Sequence, residues 1–371
     1  MKTGFVTRTG VSLVAVIGAA VFFSGCGARG RSKPAGVEAA TVPDADLLLH
    51  FDLAAVRETA MGRRMEELRD SRTGTDSPAT AVDEKRKEIE AASGLTREDV
   101  SAVRLSANVA NLDLAGEEGA ARMAKANAVL GIGLLKSVTL DQIEAALRVL
   151  AAGRSDVTVS RTTLNEMPAV AVRSADPSEP AAYATLSADA KTVFLALNGS
   201  SLSAALSRER EGRPAKVPDD LAGVAAAVPV GAQLRLLFRA PETLRAQIRD
   251  RIEETRARAQ QDPGAGMTLG FLAPFQDLRS LAFGLRFEED MAAVLATDLG
   301  NEQAAQQSAI LIQTMILPML QGALAEQAGA SPARVAESLQ VGSEGSSLRI
   351  TLRITEEDLE TPPAAVPQPA P

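Results

Sequence analysis

Few side chains in this 371-residue sequence could do chemistry, because it holds one His, one Cys, one Tyr and no Trp. His50 and Asp52 stand two residues apart in the strand-like run Leu47–Leu53. On a strand that spacing puts both on one face, where a carboxylate could orient an imidazole for base catalysis. No G-x-S-x-G nucleophile motif accompanies them, and a base without partners achieves little. Both are therefore expected as hydrogen-bonded strand residues. Gly131-Ile132-Gly133 lacks a third glycine and lies inside a strand pattern, so close backbone packing explains it better than a phosphate loop. The acidic runs Glu117-Glu118, Glu288-Glu289-Asp290 and Glu356-Glu357-Asp358 lack the spaced oxygens and glycine of a calcium loop. They read as solvated turns or element ends. No catalytic, metal or cofactor-binding residue is assigned, and no cofactor is expected.

Composition narrows the function classes. The 39 basic and 47 acidic side chains give a formal charge of −8, the opposite of a nucleic-acid footprint. The six arginines from Arg239 to Arg258 are interleaved with Glu242, Asp250, Glu253 and Glu254, which makes a salt-laced helix face. A lone cysteine excludes an intrachain disulfide framework and any multi-cysteine metal site. At 46% hydrophobic and 23% charged residues the chain is globular.

The cysteine has a different use. Lys2 and Arg8 precede an apolar stretch from Gly10 to Phe23, too short to span a bilayer, which needs about 20 residues. The stretch ends in Phe23-Ser24-Gly25-Cys26, which resembles the lipobox of bacterial lipoproteins, with Phe23 where that family most often has Leu. The resemblance implies that Cys26 receives a diacylglycerol on sulfur, that residues 1–25 are a signal peptide cut away before it, and that the new amino group is acylated. Two or three acyl chains hold a protein on a membrane where one would be marginal. Gly27, rather than Asp, after the cysteine resembles the outer-membrane default of Gram-negative lipoproteins, facing the periplasm. Losing Lys2 and Arg8 takes the formal charge from −8 to −10. Residues 26–41 read as the lipidated cysteine and a flexible tether.

The elements beyond the tether repeat. Val42-Pro43, then Leu47–Leu53 and a helical run, match Val228-Pro229, then Leu234–Phe238 and a helical run. Glu98–Leu105 matches Gln276–Phe283, Val129-Leu130 matches Val294-Leu295, and the two-strand stretch Val157–Val172 matches Leu339–Ile354. Period-two alternation at Val103, Leu105, Ala107 and Val109 marks a half-buried strand. Pro241–Ala259 reads as a helix with Leu244, Ile248, Ile252 and Ala259 near one face. The fold class expected is α+β, with two tandem duplicated domains, each a mostly antiparallel sheet with helices packed on one face. Their bounds are 42–211 and 228–360, with a linker region at 212–227 and a Pro-rich disordered tail at 361–371. The opening Val42-Pro43-Asp44-Ala45-Asp46-Leu47 also resembles the phrase with which uncharacterised bacterial envelope lipoproteins begin their mature domains; that resemblance implies no activity.

One segment stands out as a contact candidate. Ala309–Leu320 is apolar nearly all round a helix, and such a helix must be covered by something. Ile310, Ile312, Met315, Ile316 and Met319 could line a hydrophobic cavity or meet a partner, with methionine giving adaptable contacts. The function expected is a non-enzymatic, membrane-anchored envelope lipoprotein that binds or scaffolds an envelope protein or lipid. A carrier of lipid or another hydrophobic ligand is the first alternative, and a hydrolase built on His50 and Asp52 the second.

Overall fold

A computed structural model of the chain describes residues 37–64, 79–109, 127–176, 181–212, 221–259, 275–316 and 338–358, apart from 38, 43, 153 and 356, together with 218 and 269. Helices and antiparallel strands make it α+β. Contacts divide it into two compact units, residues 1–58 with 65–218, and residues 219–371 with 59–64. Residues 59–64 thus belong with the second unit, where the Met61 N–H donates to the Glu288 carbonyl at 3.2 Å.

The described residues of the first unit form seven strands: β1 (Leu47–Asp52), β2 (Val100–Ala107), β3 (Ala128–Leu134), β4 (Val157–Leu164), β5 (Met167–Ser174), β6 (Ala182–Leu186) and β7 (Thr192–Ala196). Their order is β1-β2-β3-β7-β6-β5-β4. Turn chemistry sets the last hairpin. Asn165 and Glu166 both sit at positive φ (47° and 66°) in a two-residue loop that leaves Leu164 opposite Met167, the backbone a twisted hairpin favours. The described helices are α1 (Leu53–Glu58), α2 (Ala79–Ser93), α3 (Leu140–Ala151) and α4 (Gly199–Arg210), and side-chain caps start α1, α3 and α4. Thr139 accepts the Gln142 N–H while Gln142 reaches back to the Thr139 N–H, and Asn198 accepts the Ser201 N–H at 2.7 Å. These caps satisfy donors that have no partner within the helix.

Helices on one face were expected; the first unit is covered on both. Val103, Leu130, Ile132, Val193 and Leu195 share one face and form a single core with Ile143 and Leu147 of α3. The opposite face is just as dry: Val129, Phe194 and Ala171 are fully buried. There α4 packs on β7, and the residues before β1 lie across the sheet. A Cβ on Gly131 would stand 2.6 Å from the Ala40 Cβ, so only glycine admits that close approach. The tether expected to run through Thr41 is correspondingly shorter. Val37, Ala39, Ala40, Thr41 and Val42 are buried, the Val42 N–H donates to Ser106 Oγ at 3.0 Å, and Arg208 Nε reaches the Ala39 carbonyl.

The second unit has five strands in the order β8-β9-β10-β12-β11: β8 (Leu234–Arg239), β9 (Ser280–Phe287), β10 (Met291–Asp298), β11 (Leu339–Glu344) and β12 (Ser347–Ile354). Helices α5 (Ala222–Ala225), α6 (Glu242–Ala259) and α7 (Glu302–Leu311) complete its described elements. Residues 221–227 were expected within a linker, yet Leu221 and Val224 are buried and α5 packs on β9 and β10. Val228 follows, its Cγ1 2.6 Å from where a Cβ on Gly284 would stand. On this face β9 and β10 present small residues, Ala282, Gly284, Val294 and Ala296, all buried. Of the apolar residues expected to form the inner stripe of α6, only Ile252 is buried.

Candidate functional site

The remaining face of the second unit is where the large apolar side chains are. Leu236, Phe283, Leu295 and Ile350 stand opposite one another across β8, β9, β10 and β12, and Leu234 and Leu285 form the next rung. All six are half-buried. At one end α7 covers the sheet: Leu299, Ala305, Ala309 and Ile312 cluster with Leu348, against Val341 and Ile350. The strip is continuous and incompletely covered, and patches of this kind are candidates for contact with apolar groups.

The apolar segment at 309–320 splits along this geometry. Ile312 is 5% exposed and belongs to the α7–sheet core, whereas Ile310 is 60% exposed. After Leu311 the helix widens into a π-helical turn, Ile312–Ile316. Gln313 and Thr314 are exposed, with Gln313 Nε2 donating to the Val341 carbonyl and Thr314 Oγ1 to the Ile310 carbonyl. The segment is therefore two-sided, not apolar all round. The side chains of Met315 and Ile316, and all of Met319, lie outside the described residues. The better-placed residues, Leu236, Phe283, Leu285 and Leu295, were signalled in sequence only by alternation of large apolar residues with small or charged ones.

The remaining motifs have structural roles. Asp52 Oδ1 accepts the Ala55 N–H at 2.9 Å, capping α1, and His50 stands opposite Arg104 in the β1–β2 pair. The Asp52 oxygen is thereby spent on a helix end. Asp290 was expected as a solvated turn residue. It sits in the three-residue loop between Phe287 and Met291, but it is only 8% exposed and receives a hydrogen bond from Arg353 Nε. On α6, Glu242 pairs with Arg245 and Arg249, Glu254 with Arg251, and Glu253 with Arg256. Among the described residues no three His, Cys, Asp or Glu side chains are grouped to hold a metal, and no helix is long and apolar enough to cross a membrane. Cys26 and the acidic pair Glu117-Glu118 lie outside the described residues, as does Glu356.

Titration behaviour points the same way. Burial works against ionising Asp99, but hydrogen bonds from Lys136 and Thr96 outweigh it and hold the carboxyl below its ordinary value. Glu144 is held low by Arg148 and then Arg161. Both are carboxylates locked into ion pairs, the reverse of a proton donor poised near neutrality.

The opening before the first strand of each unit also has a mechanical explanation. Asp44 and Gly231 both lie at positive φ (51° and 80°), and Ala45 and Ala232 after them are buried. The next residue latches the neighbouring strand: Asp46 Oδ2 accepts the Val109 N–H at 3.0 Å, and Gln233 Oε1 accepts the Phe287 N–H at 2.8 Å. Comparison with known proteins adds no name: no family model, no curated protein and no solved structure matches the chain.

Proposed function

We propose that the protein is a membrane-anchored envelope lipoprotein, held by acylated Cys26, that acts as a non-enzymatic binding or scaffolding module. The open apolar face around Phe283 and Leu285 is its contact surface, and its half-burial is the observation that carries the reading. The lipobox-like Phe23-Ser24-Gly25-Cys26 supports the anchor. Ten residues, 27–36, separate Cys26 from the docked segment at Val37. Fully extended they reach about 35 Å, enough to hold the folded part off the bilayer while keeping it near.

We read the two units as duplicates of one ancestral unit. The sequence matches and the strand registers agree: Leu105 pairs with Leu49 and Leu130, and its match Phe283 pairs with Leu236 and Leu295. The Asp46 and Gln233 latches fall at matched positions. The first unit differs by β6 and β7, which stand between β3 and β5 where β10 pairs directly with β12 in the second.

The carrier reading has less support. The apolar cavity beneath α3, lined by Ile89, Ile132, Leu147 and Leu195 among others, holds only about 30 Å3, room for about one water-sized group and no acyl chain. The test is a photoreactive residue at position 285 in the anchored chain, irradiated in the envelope. The reading predicts one dominant adduct, protein or lipid, stronger than from position 254 on charged α6. Equal labelling from both positions would contradict it. Loss of membrane association in Cys26→Ala checks the anchor separately.

A further inference from the structure

We propose that two copies of this chain pair through β4, edge to edge and antiparallel, about a two-fold axis at Ser160. β4 ends the strand order of the first unit and pairs only with β5 among the described strands. Leu164 and Met167 flank the two-residue turn, so Leu164, Thr162, Ser160 and Thr158 exchange hydrogen bonds with β5. Val159, Arg161 and Thr163 must then turn their N–H and C=O groups away from it.

Exposed edges are usually blunted by Pro, Lys, bulges or a covering group. β4 has neither Pro nor Lys, and its eight-residue register with β5 is unbroken. Its one charged side chain, Arg161, is drawn off to Asp141 and Glu144 on α3. The edge strand of the second unit differs: β11 has six residues, and Gln313 covers the outward Val341 carbonyl.

The occupant follows from complementarity. Outward-facing residues must meet outward-facing residues, which leaves two central registers for a symmetric pair. An axis at Arg161 would set that guanidinium against its own copy. An axis at Ser160 sets Val159 against the partner's Arg161, Thr158 against the partner's Thr162, and Val157 against the partner's Thr163, with no like charges opposed. The helices beside the seam agree. Asp141 and Glu144 lie at the Arg161 end of α3. The other end borders an open hollow of about 530 Å3 lined by Arg148, Ala151, Ala152, Arg154, Val157 and Val159. The two-fold axis brings the acidic end of each α3, where the Asp141 side chain is 93% exposed, beside the partner's hollow, whose Arg148 and Arg154 already pair with Glu144 and Asp156 of their own chain, so that the seam extends these ion pairs without opposing like charges.

The test is disulfide trapping of the full anchored chain in a bacterial envelope, where acylation leaves Cys26, its one cysteine, without a free thiol, and an introduced cysteine is the only thiol. In the proposed register Ser160 and its copy form a non-hydrogen-bonded pair with Cα atoms about 4.5 Å apart, within disulfide reach. Ser160→Cys should give at least about ten times more oxidised dimer than Thr158→Cys. Val159→Pro removes an outward N–H, as an edge strand tolerates, together with part of the packing that Val159 makes against the core. It should abolish the dimer in sedimentation while the chain still unfolds in one cooperative, somewhat earlier transition. Equal trapping at 158 and 160, or no dimer from Ser160→Cys, overturns the proposal whether or not Val159→Pro folds.

Discussion

Leu130 and Leu295 occupy matching places, opposite Leu105 and opposite Phe283, yet Leu130 is 2% exposed while Leu295 stays half-exposed. The strands differ little; the cover differs. In the first unit α2 packs along α3 and the apolar face is closed over β3 and β7, while Leu49 and Leu105 stay half-buried as their matches Leu236 and Phe283 do. In the second, α7 closes one end, and α6 spends its side chains on ion pairs and buries only Ile252. The face carrying small residues is sealed in both units by the segment before the first strand, over Gly131 in one and Gly284 in the other. The lead-in segments thus seal one face of each sheet, and the difference in cover on the other face is what the proposed contact surface rests on.

The sharpest way to break this comparison is a matched pair of truncations. Leu130→Ala should cost about 2–5 kcal/mol and Leu295→Ala about 1–2 kcal/mol, read from denaturant unfolding of each variant. Equal losses would mean that the second face is as closed as the first. Next in size are the two glycines. Gly131→Ala and Gly284→Ala should each cost about 1–3 kcal/mol, because the added methyl meets Ala40 or Val228 at 2.6 Å and forces the lead-in segment outward. A neutral result at either would show that its segment is not held against the sheet. Asp46→Ala and Gln233→Ala should lose about 1 kcal/mol apiece, and a latch role predicts similar losses at both.

Acid sharpens the first unit alone. The native Asp99 carboxyl titrates below its ordinary 3.8, so its ion pair with Lys136 stabilises fully above that value and is lost as pH falls through the lower native one. Lys136→Met should lower stability at neutral pH and flatten the loss below 3.8; an acid loss as steep as the parent's would contradict the pairing. A further small effect is a gain. Glu166 carries a side chain at φ 66°, and Glu166→Gly should stabilise by about 1 kcal/mol in denaturant unfolding; in the β11–β12 hairpin the positive φ falls on the first loop residue alone, where Gly345 already stands.

Much of the frame was legible in sequence. The strand-like run Leu47–Leu53 located β1, alternation at Val103–Val109 located β2 two to three residues late, the repeat match at Val157–Val172 located the β4–β5 hairpin, and Pro241 and the Arg/Glu pattern located α6. The cover was not legible, because alternation shows that a strand has two faces without saying what lies on them. A signal was nonetheless present: β3 (Ala128–Leu134) and β7 (Thr192–Ala196) are buried at every position and read as unbroken apolar runs, the mark of strands covered on both sides. The docking of Val37–Val42 and Leu221–Val228 left only the glycines beneath them as a trace. Burial of Asp290 depends on Arg353, 63 residues away, a pairing that no local pattern encodes. The apolar run at 309–320 drew attention to a helix of the second unit, whereas the half-buried apolar strip there lies on the strands, at Leu236, Phe283, Leu285 and Leu295.

The central claim, that the face around Leu285 is open for contact in the native protein, is tested most directly by titrating the folded chain with an environment-sensitive apolar dye, before and after Leu285→Lys. A half-exposed site lets the lysine reach water. The account therefore predicts saturable dye binding that Leu285→Lys abolishes without shifting the unfolding transition. A native chain that binds no dye, or a Leu285→Lys variant that unfolds as a buried-core variant would, contradicts it.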